Sequence, residues 1–163
     1  MLSFSYLLII CTLAYIALED FKYQAVRWIA FPALFTFCIF TSALQLNNKQ
    51  ELLLFIGVNV VITFLEYGLL VLYTYVKENT VSVLNSKIGL GDLLFLFAIS
   101  PLFHPVFFIL FEIVSLLITL IAVVFFQKLN KPIPLAGYLS LVLITYIIFT
   151  IFSPTNLYHI TVI

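Results

Sequence analysis

The sequence predicts an all-α, polytopic membrane protein: one bundle of about six transmembrane helices, forming a single domain over residues 1–163, with the N-terminus outside. Three observations lead there. First, the chain is 64% hydrophobic and only 9% charged, with a mean hydropathy of +1.25. A water-soluble domain carries roughly 25% charged residues, so this chain lacks the charge to cover a water-facing surface. Second, the apolar residues gather into runs of span length, since a ~30 Å hydrocarbon core takes ~20 helical residues. Third, the basic residues fall almost wholly in alternate breaks between those runs.

The first run extends from Leu2 to about Leu18 and is closed by Glu19-Asp20. It has no basic n-region and no small-residue cleavage site, so it reads as a retained span rather than a signal peptide. The second runs from about Trp28 to Leu46 and ends in Asn47-Asn48-Lys49-Gln50. The third, about Leu52 to Val76, is interrupted by Glu66; a polar stretch from Lys77 to Gly91 follows. The fourth starts at Asp92 and meets Pro101 early, with a tight turn at His104-Pro105. The fifth, about Val106 to Phe126, carries Glu112. After Gln127 to Pro134 comes the sixth, Leu135 to Phe152. Helices are expected because a span in lipid must satisfy its backbone hydrogen bonds internally. No strand-length alternation suggests a barrel.

With the N-terminus outside, the inner breaks hold Lys22, Arg27, Lys77, Lys87, Lys128 and Lys131, and the outer ones only Lys49. That asymmetry follows the positive-inside rule. It places Asp20 and Asp92 together on the cytoplasmic side. Zero net charge leaves no electrostatic footprint for nucleic acid. Cys11 and Cys38 sit in apolar runs without metal-site spacing, and His104 and His159 form no metal pattern, so neither a metal nor a cofactor is expected. The lipid bilayer is the one partner that composition alone implies.

Asp20 and Asp92 are the only aspartates. Ionisable groups at a membrane are costly and mark function. Two adjacent carboxylates do not readily both ionise, so they share a proton. One member can then activate a water while the other supports a carbonyl oxygen, which is the chemistry of aspartic proteolysis. Plainer readings stand beside this one. Asp20 marks where a helix meets water, and Asp92 is an N-cap. Next to Asp92, Gly89 and Gly91 remove side-chain bulk and allow another backbone to approach.

The stretch Gly89-Leu90-Gly91-Asp92, with Asp20 at the end of the first span, resembles the type IV prepilin peptidase family of intramembrane aspartic peptidases. Lys131-Pro132-Ile133-Pro134 and Leu135-Ala136-Gly137-Tyr138-Leu139 resemble the Pro-Ile-Pro stretch that opens the family's last helix. The resemblance implies a six-helix core, Asp20 and Asp92 as the catalytic pair, and cleavage of positively charged leaders from prepilin-like, single-span precursors. It implies a prokaryotic inner (cytoplasmic) membrane, with the site facing the cytoplasm. Gly89, Gly91 and Lys22 become candidates for positioning the substrate. Arg27-Trp28 stand where the family usually has Pro-Asn, and Leu94 where many members have Lys. Some members carry a cysteine-rich segment that methylates the new N-terminus. This sequence shows none, so the short form, cutting without N-methylation, is expected.

Glu66 and Glu112 fall inside predicted spans. The expectation for each is a protonated side chain hydrogen-bonded between helices, to Ser, Thr or Tyr. The alternative to a peptidase is a non-catalytic membrane protein, a small transporter or a leader-binding assembly factor, in which these glutamates relay ions or protons.

Overall fold

The computed structural model describes residues 2–46, 48–78, 89–126 and 133–152. Lys87, Lys128, Lys131, Pro132 and His159 lie outside these residues. Among the described residues six α-helices follow one another: α1 (Leu2–Tyr23), α2 (Ala30–Gln45), α3 (Lys49–Glu78), α4 (Leu90–Ile99), α5 (Pro105–Phe126) and α6 (Leu135–Phe152). A 3-10 turn, Ser100–Leu102, continues α4, and no strand occurs among the described residues. The all-helical reading is met. Among the described residues four helices are long and apolar enough to cross a membrane, over Phe4–Tyr23, Lys49–Lys77, Pro105–Phe125 and Leu135–Phe152. The other two apolar stretches, Ala30–Gln45 and Leu90–Leu102, are shorter.

The fourth helix starts earlier than predicted. Gly89, extended at φ −68° and ψ 113°, takes the N-cap position, and Leu90 opens the helix. Asp92 is therefore a first-turn residue and not the N-cap, so its carboxyl is free to face a neighbouring element.

The packing follows helical periodicity. On α1, Ile9, Leu13 and Ile16 recur at four- and three-residue steps and are wholly buried. They meet Leu34 and Cys38 of α2, Phe95 and Ile99 of α4, Phe108 of α5, and Leu139, Leu143 and Ile147 of α6 in one core. α1 packs most extensively on α6 and next on α2, while α3 stands at the edge of the bundle. The outward faces are apolar as well: Leu53, Leu65, Leu69, Val76, Val124, Phe125 and Phe149 are all exposed. Apolar exposure on this scale suits lipid rather than water.

One irregular segment is enclosed by the bundle, the turn between α4 and α5. Its carbonyls are satisfied by side chains from two other helices. Asn59 of α3 donates through Nδ2 to the carbonyls of Ser100 and Phe103, both at 2.8 Å. Ser42 of α2 donates to the Pro101 carbonyl at 2.7 Å. Non-helical backbone at membrane depth persists only where such partners exist. At this same end, Gln45 near the end of α2 donates to the Tyr6 hydroxyl of α1, and the ring of Phe55 lies against His104. The start of α1, the end of α2 and the α4–α5 turn therefore gather at one end of the bundle, and the end of α1, the start of α4 and the start of α6 gather at the other, which holds the aspartates.

Candidate active site

Asp20 extends the buried stripe of α1 by one turn, in the series Ile9, Leu13, Ile16, Asp20. Its side chain is directed inward at α6, not out to water. Asp20 Oδ2 accepts the backbone N–H of Gly137 at 2.7 Å. Immediately after it, Phe21 meets Tyr138 edge to face at 5.0 Å. α1 ends within the next turn, where the Gln24 N–H reaches the Asp20 carbonyl and Gln24 adopts φ 52°. Glu19 points elsewhere. It accepts the Tyr15 hydroxyl and the Arg27 backbone N–H, and it pairs with the Arg27 side chain at 3.3 Å, which folds the α1–α2 loop back on α1. The plainer reading of Asp20 as a water-facing helix end does not fit a carboxyl with 7% exposure.

Asp92 reaches the same place from α4. Its carboxyl interacts with the backbone N–H of Ala136 and lies within electrostatic range of Asp20. Asp20 thus accepts from the Gly137 amide, and the Asp92 carboxyl lies near the preceding amide, that of Ala136, at the start of α6. These amides are free to donate for a simple reason. The first N–H groups of a helix have no acceptor within the helix. Here the Leu135 N–H goes to the Ile133 carbonyl and the Tyr138 N–H to that of Pro134, leaving Ala136 and Gly137 for the aspartates. The helix dipole adds favourable partial positive charge at this end. Small residues allow the close approach. A Cβ built on Gly137 would stand 3.2 Å from Phe21 Cε2, 3.3 Å from Asp20 Oδ2 and 3.4 Å from Asp20 Cβ.

The predicted glycines play unequal parts. A Cβ on Gly89 would stand 2.6 Å from Asp92 Oδ2, so the bare backbone at Gly89 makes room for the carboxyl of Asp92 itself. At Gly91 the nearest atom is Phe31 Cζ at 3.8 Å, an ordinary contact. Lys22 is exposed, and its ammonium sits over the Tyr23 ring, 4.9 Å from the centroid. The structure brings Asp20, Asp92 and Gly89 together and leaves Lys22 turned aside. Glu66 and Glu112 lie away from this cluster and meet each other between α3 and α5. The Ser and Thr hydroxyls nearby donate to backbone carbonyls: Ser115 to Glu112, Thr119 to Ser115, and Thr63 to Asn59.

Sequence reasoning missed Ala136 and Gly137 as carboxylate partners. The signal was present, a Pro-Ile-Pro run followed by two small residues at a helix start, but backbone donors carry no side-chain signature. Among the described residues no group of three or more His, Cys, Asp or Glu is placed to hold a metal ion. No protein-family model, no curated protein and no solved structure matches this chain.

Proposed function

We propose that this chain is an intramembrane aspartic endopeptidase whose catalytic pair is Asp20 and Asp92. One observation carries the reading: the only two aspartates of the chain, 72 positions apart, converge on consecutive amides of Ala136 and Gly137. In the proposed reaction the pair shares one proton. The ionised carboxylate takes a proton from water, and the resulting nucleophile attacks the scissile carbonyl. The protonated partner donates to the developing oxyanion, and the roles then reverse to protonate the leaving amine. The α6 amides fix the direction of both carboxyls, so orientation is set before substrate arrives.

The proposed substrate is a prepilin-like single-span protein with a positively charged leader, cut on the cytoplasmic side of a prokaryotic inner membrane. The charge asymmetry of the loops supports an N-terminus outside and an aspartate end inside. In this reading all six helices traverse the bilayer, with α2 and α4 as the short members. α2 and α4 both begin at the aspartate end, where a leader emerging from the membrane can meet the carboxyls.

The test is precursor processing in cells that carry Asp20→Asn or Asp92→Asn. Each variant is expected to lose at least ~10²-fold in rate, the scale of a general acid–base contribution. The uncut membrane protein that accumulates with Asp92→Asn identifies the substrate. Full processing by both variants would overturn the reading.

A further inference from the structure

A second pair of carboxyls lies outside the proposed catalytic site. Glu112 of α5 is only 4% exposed, and neither of its carboxyl oxygens has a hydrogen-bond partner among the described residues. The group it faces is the carboxyl of Glu66 on α3, the one charged neighbour acting on it among the described residues. On the other flank of α5, Tyr146 of α6 lies in the apolar cleft with Phe103 and Phe111, while the other tyrosine of α6, Tyr138, packs on Phe21 at the aspartate end. Two ionised carboxylates are acceptors only, with no hydrogen to offer each other. The nearby hydroxyls donate to helix carbonyls instead. Asn59, two turns before Glu66 on the same face of α3, adds another buried oxygen without a donor, Oδ1. Oxygens are in excess here, and positive charge is lacking.

In an apolar setting such an arrangement is not left bare, because an unpaired buried charge costs far more than a paired one. We propose that Glu66 and Glu112 form a binding site for one small monovalent cation, H+ or Na+, held between α3 and α5. The cation supplies what both carboxyls lack, a positive centre shared by their oxygens. Glu112 forms the closed inner wall. Glu66 is exposed at the outer surface of the bundle, so it forms the outer wall of the site. The site is independent of the aspartate pair and of peptide cleavage.

The probe is dicyclohexylcarbodiimide, which adds to protonated carboxyls in apolar surroundings. It is applied to the purified full chain in lipid vesicles, and the modified peptide is mapped by mass spectrometry, which separates these glutamates from Asp20 and Asp92. The expected result is labelling of Glu112 or Glu66 that falls as pH rises. Protection by Na+, against K+ at equal ionic strength, identifies Na+ as an occupant. A pH-dependent reaction indifferent to Na+ identifies the proton alone. Glu66→Gln is expected to shift the pH profile at Glu112. Absence of labelling at every pH, labelling indifferent to both pH and Na+, or an unshifted profile in Glu66→Gln overturns the site.

Discussion

At the scale of single residues, three glycines near the aspartates make separable predictions. A methyl group at position 89 would fall 2.6 Å from Asp92 Oδ2, closer than real Cβ contacts allow. The obstructing atom ends a short, rotatable side chain, so the carboxyl would turn away while the fold stays intact. Gly89→Ala is therefore expected to cut processing by ~10²-fold, the cost of misplacing a reacting group by about 1 Å. Its thermal stability should stay within ~0.5 kcal/mol of the parent. At Gly91 the same methyl meets only Phe31 at ordinary distance, and Gly91→Ala should process at close to the parental rate. Equal losses at the two positions would show that loop freedom matters rather than the aim of Asp92. Gly137→Ala is a third case. Its methyl would press on both Phe21 and Asp20 at 3.2 to 3.4 Å, against a helix-propensity gain of up to ~1 kcal/mol. We expect reduced processing with nearly unchanged melting, because the crowding falls on the side chain of Asp20. The glycines flanking Asp92 were visible in the sequence, but their unequal roles were not. Which glycine faces Asp92 and which faces Phe31 depends on where α4 begins, and that start was misplaced by two residues.

At the scale of elements, the turn between α4 and α5 sets where α4 stands and so where Asp92 points. Pro101 and His104-Pro105 made the turn legible, since Pro ends or kinks a helix. Its anchoring was not legible. Asn59 lies within a long apolar run and Ser42 at the end of another, and neither has a local partner to betray its role. Both act across 41 to 59 residues of sequence, on carbonyls that exist as acceptors only because the turn leaves them unpaired. Replacing Asn59 by Leu keeps most of the volume and strands the Ser100 and Phe103 carbonyls. Interhelical hydrogen bonds in membranes average ~0.6 kcal/mol each, and an orphaned buried acceptor costs ~1–3 kcal/mol. Asn59→Leu is expected to destabilise the bundle by ~1–3 kcal/mol in an unfolding measurement in detergent micelles. An unchanged midpoint would show that the turn finds its donors elsewhere. The stripe that positions Asp20 was more accessible to sequence reasoning. Ile9, Leu13, Ile16 and Asp20 follow a helical period, and only the identity of the opposing helix required three dimensions.

At the scale of the whole molecule, the apolar exterior and the four long helices identify a chain built for lipid, as composition alone had indicated. The number of crossings needs more than hydropathy. α2 has 16 residues and α4 with its 3-10 turn has 13, which at 1.5 Å per residue reach only ~24 Å and ~20 Å against a ~30 Å core. Yet each connects the two ends of the bundle. α2 begins after the loop held by Glu19 and ends beside Tyr6, while α4 begins beside the aspartates and ends in the anchored turn. Both short helices begin at the end that carries the carboxyl pair. Helices this short are accommodated by local thinning of the bilayer, which would bring water to Asp20 and Asp92, as the proposed hydrolysis requires. Sidedness decides whether the aspartate end faces the cytoplasm. In a background with Cys11 and Cys38 replaced, Asn48→Cys lies at the predicted outer end and Ala25→Cys at the aspartate end. A membrane-impermeant maleimide should label Asn48→Cys in intact cells and Ala25→Cys only after permeabilisation. The reverse pattern would put the aspartates outside and overturn cytoplasmic cleavage, while leaving the geometry of the pair untouched.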